Sequence, residues 1–300
     1  MRRVWEYIRV CGVFFSGKTS WPPNFMRGVN LMRFGKIVAV FVFVLCAALL
    51  TSCSSASETS KNSDLGLLKD GVLQVGCEIG YPPFEYFGDD GSTPIGLDID
   101  LGDAIAAELG VSIERVDTAW DGIFEGLDAD KYDIIISAVT INAERKKDMD
   151  FSDPYIENWQ AVAVKKGSTP ITSLEELNGK KVAYQDATTS DEYLEDLTDT
   201  GAVDCEKFEY AKVLNAFDDL RLGRVDAVIC DSTVADGYIA REPENFEITW
   251  LQSTEPDSVP ETFGVAVKKG NENLVNAIND ALKKLEDSGK LDEIRSSWFS

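Results

Sequence analysis

Gln160-Ala161-Val162-Ala163-Val164-Lys165-Lys166 and Phe263-Gly264-Val265-Ala266-Val267-Lys268-Lys269 are nearly one segment written twice. Each is a short apolar run closed by two lysines, the pattern of a buried strand that ends at the surface. What stands upstream of each decides the fold. Before the first, residues 72–76 form an apolar strand stopped by Gly80-Tyr81-Pro82-Pro83. Then Ile99, Leu101, Ile105, Ala106 and Leu109 recur at helical spacing until Gly110. Residues 111–116 alternate as a half-buried strand, Ile123 opens a second helix, and residues 132–136 read as a buried strand. Before the second copy, the series repeats: a strand at 182–184, helices over 190–197 and 211–222, and a buried strand at 226–230. A β-α-β-α-β order implies a mostly parallel sheet with helices on its faces. The repeated segment predicts two equivalent strands, one after each of two crossings between the halves. Residues 273–299 read as two closing helices, with Leu274, Ile278, Leu282 and Leu285 on one stripe. The fold class is α/β in two lobes, with a cleft where strand ends and helix N-termini converge.

Composition narrows what such a cleft can do. The formal net charge is −23 over 300 residues. Residues 1–53 carry seven of the basic side chains and one acid, so the rest holds 22 basic against 51 acidic groups, a net of −29. A body that acidic repels phosphate backbones, which argues against nucleic-acid binding; it suits a solvated surface or attraction of cations. No histidine occurs. Ser-His-Asp and Cys-His nucleophiles are therefore ruled out, and the commonest zinc ligand is missing. No metal or cofactor is expected. The six cysteines show no metal-ligand spacing. Of Cys77, Cys205 and Cys230, a Cys205–Cys230 bridge and buried free thiols are both open.

Met32-Arg33-Phe34-Gly35-Lys36 is basic and precedes an uninterrupted apolar run over residues 37–50, too short to span a bilayer and suited to a signal-peptide core. It ends in Leu50-Thr51-Ser52-Cys53, which resembles the lipobox of bacterial lipoproteins. The small polar residues that follow read as a flexible tether. The division expected is a non-native extension at 1–31, a lipoprotein signal peptide at 32–52, the lipidated Cys53 and tether at 53–69, one lobe at 70–156 with 262–300, and the other at 157–261.

Four motifs appear in order. They are Glu78-Ile79-Gly80-Tyr81-Pro82-Pro83-Phe84-Glu85, Pro94-Ile95-Gly96-Leu97-Asp98-Ile99-Asp100-Leu101, Ser137-Ala138-Val139-Thr140-Ile141-Asn142-Ala143-Glu144-Arg145, and Asp150-Phe151-Ser152-Asp153-Pro154-Tyr155. Together they resemble the polar amino-acid-binding proteins of bacterial ATP-driven importers, the extracellular solute-binding proteins of family 3. The resemblance implies the type II periplasmic-binding-protein fold with two hinge crossings. It also implies a monomer outside the cytoplasm, anchored at the membrane through Cys53, that closes on a free amino acid and delivers it to a permease and its ATPase.

A free amino acid is a zwitterion, so its pocket must satisfy a carboxylate and an ammonium at fixed separation. By the resemblance, the planar fork of Arg145 clamps the carboxylate. Ser137, Thr140 and the backbone around Ala138 add donors. Thr188 and Thr189 contribute from a helix N-terminus, Asp231 takes the ammonium, and Tyr81 and Trp120 pack on the carbon skeleton. Glu78 faces the side-chain end, where a carboxylate favours a hydrogen-bond-donating group, cationic or neutral. Two departures stand out: Ala138 replaces a frequent serine, and Glu78 replaces a shorter carboxylate or an amide. Plainer roles exist for several of these. Arg145 lies in a charged run that alone reads as a solvated helix face, Asp231 suits an N-cap ahead of Ser232, and Thr189 or Ser190 suits one too. Two other functions compete. One is an enzyme on the same scaffold, of the cyclohexadienyl or arogenate dehydratase type, with Glu78 or Asp231 as general acid. The other is a module that senses ligand for a membrane receptor.

Overall fold

The computed structural model describes residues 65–299. The extension, the signal peptide, Cys53 and most of the tether lie outside the described residues.

The chain opens with β1 (Val72–Cys77), α1 (Leu97–Leu109), β2 (Ser112–Asp117), α2 (Ile123–Asp128) and β3 (Ile134–Ile135), followed by the one-turn α3 (Arg145–Asp148) and β4 (Met149–Phe151). It crosses through β5 (Ile156–Asn158) and builds β6 (Gln160–Lys165), β7 (Lys181–Gln185), α4 (Thr189–Asp199), β8 (Glu206–Tyr210), α5 (Val213–Leu222), β9 (Ala227–Asp231), α6 (Ser232–Arg241) and β10 (Phe246–Leu251). It returns through β11 (Glu261–Phe263) to β12 (Ala266–Lys268), then closes with α7 (Glu272–Asp287) and α8 (Lys290–Trp298).

Two five-stranded sheets result, ordered β2-β1-β3-β12-β4 and β8-β7-β9-β6-β10. In both, the first three are parallel and the fourth runs antiparallel to its two neighbours. The fourth strands are β12 and β6, the two copies of the repeated segment. Their equivalence is therefore topological. The copies differ in one respect: residues 160–165 form one strand, whereas the other copy breaks at Gly264. Phe263 ends the crossing strand β11, and pairing in the sheet resumes at Ala266. The crossing strands β5 and β11 pair with each other, Asn158 opposite Glu261.

The expected helices and strands are all present, with ends shifted by a few residues. The sequence reading lacked β4, β5, β8, α6, β10 and β11. The strand expected over 132–136 pairs only at Ile134 and Ile135, although all five residues are buried. The three described cysteines are free, with Cys77 and Cys230 buried.

Local packing brings the first two motifs together. Gly96, at φ +140°, lies so close to Phe84 that a Cβ would stand 2.0 Å from its carbonyl oxygen. Only glycine fits that approach. The Leu97 and Asp98 amides then donate to the Pro83 and Phe84 carbonyls at 2.9 Å. The docking sets Glu85 against Asp98, and Leu97, Leu101 and Phe84 behind them are fully buried.

Candidate functional site

Parallel strands in both sheets end toward one cleft, the usual place for a ligand in open α/β sheets. Glu78 and Tyr81 follow β1, Trp120 follows β2, and Ser137, Ala138 and Thr140 follow β3. From the other lobe, Thr188 and Thr189 follow β7 and Asp231 ends β9. These residues, with Arg145 and Gln185, line one cavity. The structure thus brings together all ten residues singled out in the sequence and adds Gln185.

Arg145 is 9% exposed and so is no solvated helix face. Asn142 Oδ1 accepts the Arg145 amide at 2.8 Å and fixes the start of α3. The guanidinium carbon stands 5.4 Å from the Trp120 ring centre and 5.1 Å from that of Phe124. A cation is attracted to such faces, so Trp120 holds Arg145 as well as lining the cavity. Among the described residues, the guanidinium makes one hydrogen bond, from Nη1 to the Thr140 carbonyl at 3.1 Å. Five N–H donors on a buried group with one used leaves a fork for an anion. Burial lowers its pKa, while the charges of Glu192 and Asp231 oppose that.

Asp231 occupies the N-cap position of α6 but makes no capping bond. Its Oδ2 accepts the Tyr81 hydroxyl across the cleft at 2.5 Å, and its Oδ1 accepts Asn158 Nδ2 at 2.6 Å and Gln160 Nε2 at 3.1 Å. Burial raises its pKa, and these donors and Arg145 work against that. Glu261, which the sequence reading missed, shares the donors: Gln160 Nε2 at 3.0 Å, Asn158 Nδ2 at 3.3 Å and Thr189 Oγ1 at 3.3 Å. Burial, then the charge of Asp231, pushes Glu261 up to about 7.

The two threonines divide their roles. Thr188 caps α4, its Oγ1 accepting the Asp191 amide at 3.3 Å, so neither Thr189 nor Ser190 is the cap. Thr189 Oγ1 stands 3.4 Å from Thr140 Oγ1 across the cleft. At the far end, Glu78 Oε1 accepts the Trp120 amide at 3.1 Å and Oε2 accepts Gln185 Nε2 at 2.6 Å. Burial raises the Glu78 pKa, against the Gln185 bond. Gln185 Nε2 also donates to the Ala211 carbonyl at 3.2 Å. With both of its acceptors on that side, the amide can point only one way, and Oε1 is left buried without a partner. The Glu78 end is therefore rich in acceptors.

Contacts outside the cavity also join the lobes. Trp120 Nε1 donates to the Ala187 carbonyl at 2.9 Å and Lys212 Nζ to the Ile79 carbonyl at 3.3 Å. The Arg241 guanidinium lies 4.5 Å from the Tyr86 ring centre. Helix α6 approaches so closely that a Cβ on Gly237 would stand 2.7 Å from the Pro82 carbonyl oxygen.

Two lobes with a buried guanidinium on one wall and a buried carboxylate on the other define a two-lobed binding protein for a small zwitterionic solute. The chain belongs to the bacterial extracellular solute-binding proteins, family 3, whose signature matches residues 73–300. It is 33% identical over 257 residues to the L-cystine-binding protein TcyJ of Escherichia coli (strain K12), covering 85% of this chain and 93% of that one. Among solved structures, an ancestral arginine-binding protein bound to arginine is 40% identical, with a TM-score of 0.70 over 77% of this chain and 99% of its own. The ancestral amino acid-binding protein AncCDT-1, a precursor of cyclohexadienyl dehydratase, is 37% identical, with a TM-score of 0.69 over 77% of this chain and 96% of its own.

Proposed function

We propose that the chain binds a free amino acid with a cationic side chain and presents it to an ATP-driven membrane importer. The observation that carries this is the buried Arg145 guanidinium, with four of its five donors unspent, in one cavity with the buried Asp231. Arg145 takes the carboxylate, aided by the Thr140 hydroxyl, while the Ala138 amide and the Ser137 hydroxyl, expected as donors from the sequence, are spent on Asp98 and Glu85. Asp231 takes the ammonium, with Thr188 and Thr189 closing from the second lobe, and Tyr81 and Trp120 flank the stem. The Glu78 carboxylate and the unpartnered Gln185 Oε1 accept from the distal group. The arginine-bound ancestral protein supports a cation there; the cystine-binding relative supports a longer zwitterion.

Thermal unfolding of residues 54–300 against the amino acids, with ornithine and cystine added, tests this. A ligand that binds only the folded state stabilises it by about 2.7 kcal/mol at a hundredfold excess over Kd. L-arginine, L-lysine or L-ornithine should shift the transition most; a selective shift with cystine moves the substrate, and no shift with any amino acid overturns the reading. The dehydratase-precursor relative keeps an enzyme in view, with Asp231 and the raised Glu261 as its acids. Our reading is binding without turnover, and loss of arogenate on incubation would reverse it.

The anchor at Cys53 rests on Leu50-Thr51-Ser52-Cys53 alone. Palmitate labelling of whole cells that disappears in Cys53→Ala is the expected result, and labelling that persists counts against it. Lobes at 70–156 with 262–300 and at 157–261, and a monomer in solution, complete the proposal.

A further inference from the structure

Behind the cavity floor, Glu85 and Asp98 are buried against each other, 0% and 3% exposed. Glu85 Oε1 accepts the Ser137 hydroxyl at 2.6 Å; Asp98 Oδ2 accepts the Ala138 amide at 2.7 Å and the Tyr155 hydroxyl at 3.0 Å. The other oxygen of each, Glu85 Oε2 and Asp98 Oδ1, is buried without a donor. Two carboxyls in contact in a dry interior, each with a bare oxygen, are untenable as two anions. One proton resolves both at once, because a protonated Glu85 donates and Asp98 accepts. The proton belongs on Glu85, since Asp98 already collects two donors on its other oxygen and so holds the charge better.

We propose that Glu85 and Asp98 share one proton between Glu85 Oε2 and Asp98 Oδ1 at neutral pH, and that this bonded pair positions the Ser137–Ala138 segment of the cavity floor. Ala138 sits at φ +46°, a conformation that a residue with a side chain rarely adopts. It is held there by its amide bond to Asp98, while Ser137, donating to Glu85, receives the Glu78 amide at 3.0 Å. Burial and the Asp98 charge push Glu85 well up, and burial pushes Asp98 up to about 7. The groups facing the pair are Glu78 and Cys77 at the end of β1, Tyr81 in the following turn, and Tyr155 before the crossing. None of these is a cation.

That the floor serves a ligand rests on the function proposed above; the shared proton does not, and it is read without ligand. A folded state that keeps a proton which the unfolded chain releases becomes less stable as pH rises. The unfolding equilibrium constant of the natural protein, relative to Glu85→Gln, should therefore rise about tenfold per pH unit between about pH 7 and about pH 8.5. Parallel pH profiles for the two proteins would mean both carboxyls are ionised, and would overturn the proposal. Positioning is read by amide exchange at Ala138. Glu85→Gln, which keeps a donor toward Asp98, should match the natural protein, and Glu85→Met should exchange there about tenfold faster. Met and Gln behaving alike would refute the positioning role. If the Met variant does not fold, the Gln variant still decides the proton by its slope and the positioning by whether Ala138 stays protected.

Discussion

Asp231 and Glu261 lie in the field of a buried guanidinium and divide the amide donors of Asn158 and Gln160, whereas Glu85 and Asp98 bear chiefly on each other. Both are pairs of carboxyls taken out of water, and burial raises all four. The difference is the partner. The first pair is stabilised by neutral amides, two hydroxyls and the field of Arg145, which leaves Asp231 able to receive a cation. The second reaches no cation and settles with a proton. On the reading proposed above, a buried acid at the cavity receives the ligand, and one behind it holds shape.

Removing Arg145 breaks the comparison most severely, because it takes the cation from the first pair and the clamp from the ligand. Arg145→Ala should weaken L-arginine binding by about 4 kcal/mol, roughly a thousandfold, with the fold retained. Near-normal affinity in calorimetry would refute the clamp. Asp98→Ala attacks the other pair and should lower unfolding free energy by about 3 kcal/mol, since the buried Ala138 amide and Tyr155 hydroxyl both lose a charged acceptor. Denaturation in urea reads this, and an unchanged midpoint would make the second pair incidental.

Glu261→Gln sharpens the contrast through pH. Folded Glu261 keeps its proton up to about 7, whereas an ordinary glutamate releases it near 4.5, so the folded state holds more protons between those values. Stability from this group is full below the lower value and is lost as pH rises through the upper one. The Gln variant should flatten that part of the ligand-free stability curve, and an undiminished slope would contradict the raised value. Tyr81→Phe is the mildest: one hydroxyl bond to Asp231 across the cleft, worth about 1 kcal/mol, or roughly fivefold in affinity.

The sequence carried the fold well where apolar runs are dense. The twin segments and the central parallel strands were legible because burial on both faces leaves few choices of residue, and the closing helices because their apolar residues recur on one stripe. Strand β8, Glu206-Lys207-Phe208-Glu209-Tyr210, was missed because an edge strand exposes alternate charges and so lacks an apolar run. Strand β10 is the opposite edge of the same sheet. Six of the ten cavity residues were legible in the four motifs, and Trp120, Thr188, Thr189 and Asp231 through the family resemblance, but their partners were not. Gln185 lies three residues before Thr188, and its value emerges only when two acceptors fix its amide. Glu261 precedes the second twin segment, and nothing local distinguishes it from a surface acid; the crossing that pairs it with Asn158 is long-range. The Glu85–Asp98 contact depends on Gly96 letting two backbones touch, which residue spacing alone does not announce.

The same kind of backbone contact recurs at Gly237, with a different outcome. There, helix α6 of the second lobe meets the Pro82 carbonyl of the first with no room for a methyl group. The Pro83 ring carbon would lie as near that methyl, at 2.7 Å, and neither a carbonyl nor a proline ring can turn aside. When the lobes meet in this way, this contact is reached before the cavity walls can close further, and it fixes the smallest space the cleft can enclose.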